Sequence, residues 1–114
     1  MTKIYHNPRC RKSRETLQLL DEKNIKPEIV LYLKETLSHA ELKEVIKQLD
    51  IKPFSLIRKG EKLFKENYKG KKLSDDEWIT VMVEHPVLIE RPIVIHNGRA
   101  KVGRPPESVL DLFC

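Results

Sequence analysis

Hydrophobic and polar positions change rhythm several times along this chain. TKIYH at residues 2–6 looks like a short strand, ended by Asn7-Pro8, because proline fixes its own φ and restrains the residue before it. From Arg11 onward, Leu17, Leu19 and Leu20 follow Thr16 with no glycine or proline until Pro27, which predicts a helix of about three turns. EIVLYL at 28–33 is apolar and β-branched enough for a buried strand. Strand, helix, strand favours a parallel βαβ start.

Helical spacing dominates the middle of the chain. Ala40, Leu42, Val45, Ile46 and Leu49 form one apolar stripe in HAELKEVIKQL, and Ser38 with Glu41 makes a capping box before it. Residues 53–69 read as short helices interrupted at Gly60. Ser74 opens SDDEWITVMVEH, whose acidic first turn suits a helix N-terminus and whose core face carries Trp78, Val81 and Met82. Pro86 stops that helix. In RPIVIHNGRAKVG at 91–103, two short runs flank Asn97-Gly98, a strong hairpin signal, and PPESVLDLF supplies a short closing helix. The order describes an α/β domain, a small mixed sheet flanked by helices, with no internal repeat or low-complexity linker.

Composition narrows the class without naming a chemistry. The 114 residues suffice for one core, so a single domain over 1–114 is expected. Charged residues make up 34% and aromatics only 6%, so the core must be aliphatic under a charged surface. The net charge of +5 is spread from Lys3 to Lys101 and mixed with acids, the pattern of a solvated surface. A nucleic-acid interface calls for a basic stripe with stacking aromatics, and only Tyr68 in KENYKGKK has that character, so no nucleic-acid partner is expected. No apolar run resembles a signal core or approaches the ~18 residues of a membrane span. Two cysteines, Cys10 and Cys114, make no disulfide framework, and the expected setting is a reducing cytoplasm.

The chemistry concentrates in YHNPRCRKSR at 5–14, where Cys10 follows the strand break and opens the first helix. A nucleophilic sulfur must be a thiolate, and a free cysteine of pKa about 8.5 is mostly protonated at neutral pH. A helix N-terminus offers unpaired N–H groups and partial positive charge, and arginines or a protonated histidine add to it. The same groups bind oxyanions. The site therefore suits attack on a tetrahedral oxyanion or on an anionic thiol such as glutathione; the plainer alternative is a buried apolar cysteine beneath solvated arginines. Ser13, in Cys10-x-x-Ser13, offers a hydroxyl to the thiolate or a cap to the helix. Serine cannot serve as a resolving sulfur, so turnover requires an outside thiol. His39, His85 and His96 show no metal-ligand spacing, and no metal or bound cofactor is expected. Cys114, as the last residue, lies where chains fray.

Taken together, HNPRC at 6–10 with Ser13-Arg14, LIR ending at Arg58, RPIVI from Arg91 and Arg104-Pro105 resemble the glutaredoxin-linked arsenate reductase family, the ArsC-like branch of the thioredoxin fold that includes Spx-type regulators. The resemblance runs over nearly the whole chain in the expected order. It implies a thioredoxin-like sheet with a helical insertion and Cys10 as nucleophile. His6 would help hold the thiolate. Arg58, Arg91 and Arg104, with Ser13, would bind the oxyanion, and a cis proline, here Pro92, would stand beside the cysteine. It also implies arsenate as substrate, glutathione as co-substrate and glutaredoxin as reductant. Established members usually carry Cys-Gly-Thr-Ser, whereas Cys10-Arg11-Lys12-Ser13 is closer to the Cys-x-Lys-Ser of uncharacterised relatives. Two alternatives therefore stay open: a glutathione-dependent thiol reductase of another substrate, and a non-enzymatic Spx-type regulator binding RNA polymerase, although such regulators typically use Cys-x-x-Cys.

Overall fold

The structure, a computed structural model, describes residues 1–113; Cys114, and any role for it, lies outside the described residues. Backbone contacts gather the chain into two compact units, one formed by Met1–Glu35 together with the segment from Arg91 onward, the other by Thr36–Glu90.

The first unit holds a four-stranded mixed sheet: β1 (Thr2–Tyr5), β2 (Glu28–Val30), β3 (Ile93–His96) and β4 (Arg99–Val102), in the order β2-β1-β3-β4. β1 runs parallel to β2 and antiparallel to β3, as a βαβ start followed by a returning hairpin requires. Helix α1 (Arg11–Glu22) makes the crossover, and the chain closes on a 3₁₀ helix at Pro106–Phe113 where the sequence predicts an ordinary helix. Ile4 and Val94, opposite each other on β1 and β3, pack with Leu20 of α1 and with Val109 and Leu112 of the closing helix. Each such aliphatic side chain, taken fully out of water, contributes about 1.5–3 kcal/mol before ordering costs. The hairpin turn follows the sequence signal: Asn97 and Gly98 both adopt positive φ, 49° and 82°, the geometry a two-residue turn between twisted strands demands.

β2 is shorter than the apolar run 28–33 predicts. The Leu31 carbonyl accepts from both Lys34 N–H at 2.9 Å and Glu35 N–H at 2.8 Å, which bends the chain out of the sheet after Val30. Tyr32 remains buried, but Leu33 is exposed, and Ile29 on this edge strand is 47% exposed. An edge strand covered on one face has no need of a continuous apolar run.

The second unit is the helical insertion: α2 (His39–Leu49), α3 (Lys62–Asn67) and α4 (Asp75–Glu84), with 3₁₀ turns at Pro53–Leu56 and Pro86–Leu88. Ser38 and Ser74 close reciprocal capping boxes with Glu41 and Glu77, so the first turns of α2 and α4 are satisfied by their own sequence. On α2, Leu42, Val45 and Ile46 are buried while Ala40 stays exposed. Trp78 of α4 packs against Phe54, Phe64 and Tyr68, its ring centroid 5.0 Å from that of Phe54. An isolated bridge pairs Ile57 with Ile89, and beside it Arg58 N–H donates to the Leu88 carbonyl at 2.7 Å. No helix among the described residues is long and apolar enough to cross a membrane.

Candidate active site

The loop between β1 and α1 is built around its own polar groups. Cys10 N–H donates to the Asn7 carbonyl at 3.0 Å and Arg9 N–H to Asn7 Oδ1 at 3.0 Å, so Asn7, more than a breaker of the strand, sets the turn that carries the sulfur. Cys10 is the N-cap residue of α1, with extended backbone at φ −95° and ψ 123°. In this position the thiol lies at the helix start, where the Ser13 N–H helps to lower its pKa although no side-chain capping bond forms.

Two guanidinium groups act on the sulfur from the neighbouring β3–β4 hairpin. Arg104 donates through Nη2 to Cys10 Sγ at 3.5 Å and through Nε to the Arg91 carbonyl at 2.8 Å. Arg91 also lowers the thiol's pKa, and its buried Nε has no hydrogen-bond partner among the described residues. Both arginines adjoin the ends of the hairpin, where Gly103 N–H donates to the Pro92 carbonyl at 2.9 Å. A Cβ at Gly103 would fall 2.5 Å from Thr16 Oγ1 and 2.8 Å from Pro92 Cγ, so the missing side chain lets the end of β4 lie against α1. The Arg91-Pro92 bond is cis, as the resemblance implies, and Arg104-Pro105 is cis as well.

The thiol titrates accordingly. Burial pushes Cys10 up, the largest single influence; hydrogen bonds from Arg91 and the Ser13 N–H, with the charges of Arg91 and Arg104, outweigh it and bring the group below its ordinary value. The cations adjacent in sequence do other work. Arg11 and Lys12 face Glu15 at 3.6 and 3.8 Å, and Arg14 Nη1 donates to the Pro8 carbonyl at 2.9 Å.

The structure refines the readings of Ser13 and His6. The Ser13 hydroxyl neither caps the helix nor bonds the thiolate: the residue is fully buried, its Oγ 2.6 Å from His6 Nδ1 and accepting from Asn7 N–H at 3.0 Å. What Ser13 gives the sulfur is its backbone N–H. His6 is buried and held below its usual pKa, first by desolvation and then by the Arg14 charge, so it is neutral at neutral pH. It supports the loop through Ser13 rather than lending a positive charge to Cys10.

Five of the six site residues expected from sequence thus meet in the first unit: Cys10, His6, Ser13, Arg91 and Arg104. Arg58 belongs to the helical unit, where its Nε lies 3.3 Å from Glu90 and its Nη1 3.9 Å from Glu61, the latter nitrogen buried without a hydrogen bond. Sequence reasoning missed Asn7 as a builder of the loop; the signal was its place before Pro8, where asparagine favours turns through its own side chain. No group of three or more His, Cys, Asp or Glu side chains among the described residues is arranged to hold a metal.

Comparison with known proteins agrees with this geometry. The model of the ArsC family matches residues 5–112. An uncharacterised protein of Escherichia coli K12, YfgD, is 50% identical over 112 residues, 96% of this chain and 94% of its own. An arsenate reductase of Haemophilus influenzae is 48% identical over 112 residues, 96% of this chain and 97% of its own. Among solved structures, an arsenate reductase from Vibrio cholerae superposes with a TM-score of 0.94 at 49% identity, covering 97% of this chain and 96% of that one. The fold is the thioredoxin-like mixed sheet flanked by helices of such structures.

Proposed function

Since the chain belongs to the ArsC family, we propose that it is an arsenate reductase in which Cys10 is the nucleophile and glutathione and glutaredoxin supply the electrons. The observation that carries this reading is the pairing of a thiol of lowered pKa with two guanidinium groups, one of which keeps a buried N–H without a partner. A thiolate and an oxyanion need the same donors, and this site supplies them in one place.

The Cys10 thiolate attacks the arsenic of arsenate, and one arsenate oxygen leaves as water. Arg91 and Arg104 stabilise the charge on the remaining oxygens, and Arg58 is proposed as the third guanidinium. The glutathione thiol displaces a second oxygen, again as water. The two sulfurs then join as a Cys10–glutathione disulfide, leaving their electron pair on arsenic, which departs as arsenite. Glutaredoxin thiol reduces the disulfide and returns Cys10 as thiolate. With serine at position 13, no second cysteine stands in the first turn of α1 to do this internally.

The test is steady-state arsenate reduction with glutathione and glutaredoxin. Turnover is expected in the wild type and abolished in Cys10→Ser. Turnover that survives Cys10→Ser sinks the mechanism, and a wild type inert toward arsenate that still forms a glutathione adduct at Cys10 is a thiol reductase of another substrate.

A further inference from the structure

At the end of the sheet that carries Cys10, the nucleophile loop has two flanks. Tyr5 pairs with Ile93 on one side and with Val30 on the other, so Arg91 and Pro92 emerge beside the loop on the β3 side and the Leu31–Lys34 turn on the β2 side. The β3 side supplies the guanidinium groups. The β2 side has no part in the chemistry above, yet it is unusually composed.

A concavity of about 450 Å³ opens between His6–Arg9 and the Leu31–Lys34 turn, with Leu31 and Leu33 as apolar lining and Arg9 and Lys34 as its cations. Around Pro8 and His6 it adjoins a second, of about 640 Å³, which carries Leu17, Ile25 and Ile29 with Arg14 and the Lys26–Asp21 ion pair. Ile29 and Leu33 are 47% and 43% exposed, among the most exposed large apolar side chains. The ion pairs of this unit are Arg11–Glu15, Lys12–Glu15 and Lys26–Asp21. Arg9, Arg14 and Lys34 therefore face no carboxylate within ion-pairing distance among the described residues. An apolar strip ringed by uncompensated cations marks an interaction surface.

We infer that this β2-side face docks an acidic protein thiol, the reductant that attacks the mixed disulfide on Cys10. A second copy of this chain is disfavoured as occupant, because at net charge +5 its matching face would bring cations against cations. The location fits a partner that must reach Cys10, since Pro8 and Arg9 immediately precede it. In the step served, the partner's thiolate sulfur bonds to the glutathione sulfur and the Cys10 sulfur–glutathione bond breaks. The electron pair stays on Cys10 as thiolate, where Arg91 and Arg104 receive it. The inference rests on the thiol-dependent reading above, but its test does not depend on arsenate.

Full-length protein glutathionylated at Cys10 is reduced either by glutaredoxin or by dithiothreitol, in the wild type and in Leu33→Asp, Lys34→Glu and the double variant. The expected result is a fall of about tenfold or more in the second-order rate with glutaredoxin for the double variant, with the dithiothreitol rate unchanged and the glutaredoxin rate of the wild type falling as salt rises. Lys65→Glu, an exposed cation of the helical unit, serves as control and keeps both rates. An unaltered glutaredoxin rate in the double variant, an equal loss with both reductants, or a dimer that buries this face overturns the inference. A wild type inactive on arsenate but showing the selective loss leaves the docking face standing and removes only the arsenate assignment.

Discussion

The Ser13 hydroxyl lies 2.6 Å from His6 Nδ1 inside the fold, and its oxygen also accepts from the Asn7 N–H. Ser13→Ala leaves the imidazole nitrogen and a backbone N–H buried without that partner, a cost of about 1–3 kcal/mol. The thiol keeps its lowered pKa, because its contact with residue 13 is through the backbone. Denaturant unfolding checks the first expectation and pH-dependent alkylation of Cys10 the second; a large rise in thiol pKa would show that the hydroxyl serves the sulfur after all.

His6 also makes stability depend on pH. Its folded pKa is depressed by burial and then by Arg14, so between the folded and unfolded values the unfolded chain binds the extra proton. Stability is therefore undiminished by this group above the unfolded value of about 6.5 and is lost as pH falls below it. Unfolding midpoints at pH 7.5 and 5.5 should show the loss, and His6→Asn, less stable throughout, should flatten this part of the profile.

The cap of α4 predicts a purely structural effect. Ser74 Oγ accepts from Glu77 N–H at 3.2 Å, and Glu77 Oε1 accepts from Ser74 N–H at 2.9 Å. Ser74→Ala should lower stability by about 1 kcal/mol. Cys10 alkylation in the folded protein should proceed at the wild-type rate, so a change in thiol reactivity would refute the separation of roles.

Much of this architecture was legible because local signals and tertiary demands agreed. Both capping sites, the Asn97-Gly98 turn and the break at Asn7-Pro8 each carry a short-range physical cause. The end of β2 did not, since Leu31, Tyr32 and Leu33 have strand-like side chains and only the double acceptance by the Leu31 carbonyl turns the chain. Around Cys10 the helix start was readable from the residues themselves, whereas the source of the positive charge was expected only through the family resemblance. Arg9, Arg11, Lys12 and Arg14 are nearest in sequence, whereas Arg91 and Arg104 come from a hairpin about 80 residues or more downstream, a relation that only the folded sheet creates. Ser13 was misjudged for the same reason, because capping statistics describe exposed helix starts and not a fully buried hydroxyl beside a histidine.

The proposed binding role of Arg58 can be tested apart from thiol activation. Its guanidinium is held by Glu90 and Glu61 within the helical unit, and it does not figure among the groups that lower the Cys10 pKa. Under the proposed mechanism, Arg58→Lys keeps the charge but loses the planar fork. The expected outcome is a KM for arsenate raised about tenfold or more with the alkylation profile of Cys10 unchanged. A shifted alkylation profile with unaltered KM would move Arg58 out of the binding role.

The sharpest expectation concerns which arginines make the thiolate. Arg91 acts on Cys10 through both a hydrogen bond and its charge, and Arg104 through its charge across a long 3.5 Å contact. Arg11 and Lys12 are engaged by Glu15 instead. The midpoint for alkylation of wild-type Cys10 should fall below that of the same thiol in the unfolded chain. Arg91→Gln should raise it most and Arg104→Gln less, while Arg11→Gln and Lys12→Gln should leave it nearly in place. The linkage has a definite sign: a cysteine whose folded pKa is depressed adds stability above its unfolded pKa, and that contribution disappears as pH falls through the folded value. Arg91→Gln should therefore narrow the stability difference between pH 9 and pH 6, whereas Arg11→Gln should not. If Arg11→Gln raised the thiol pKa as much as Arg91→Gln, the charge that activates Cys10 would come from its neighbours in sequence and not from the hairpin.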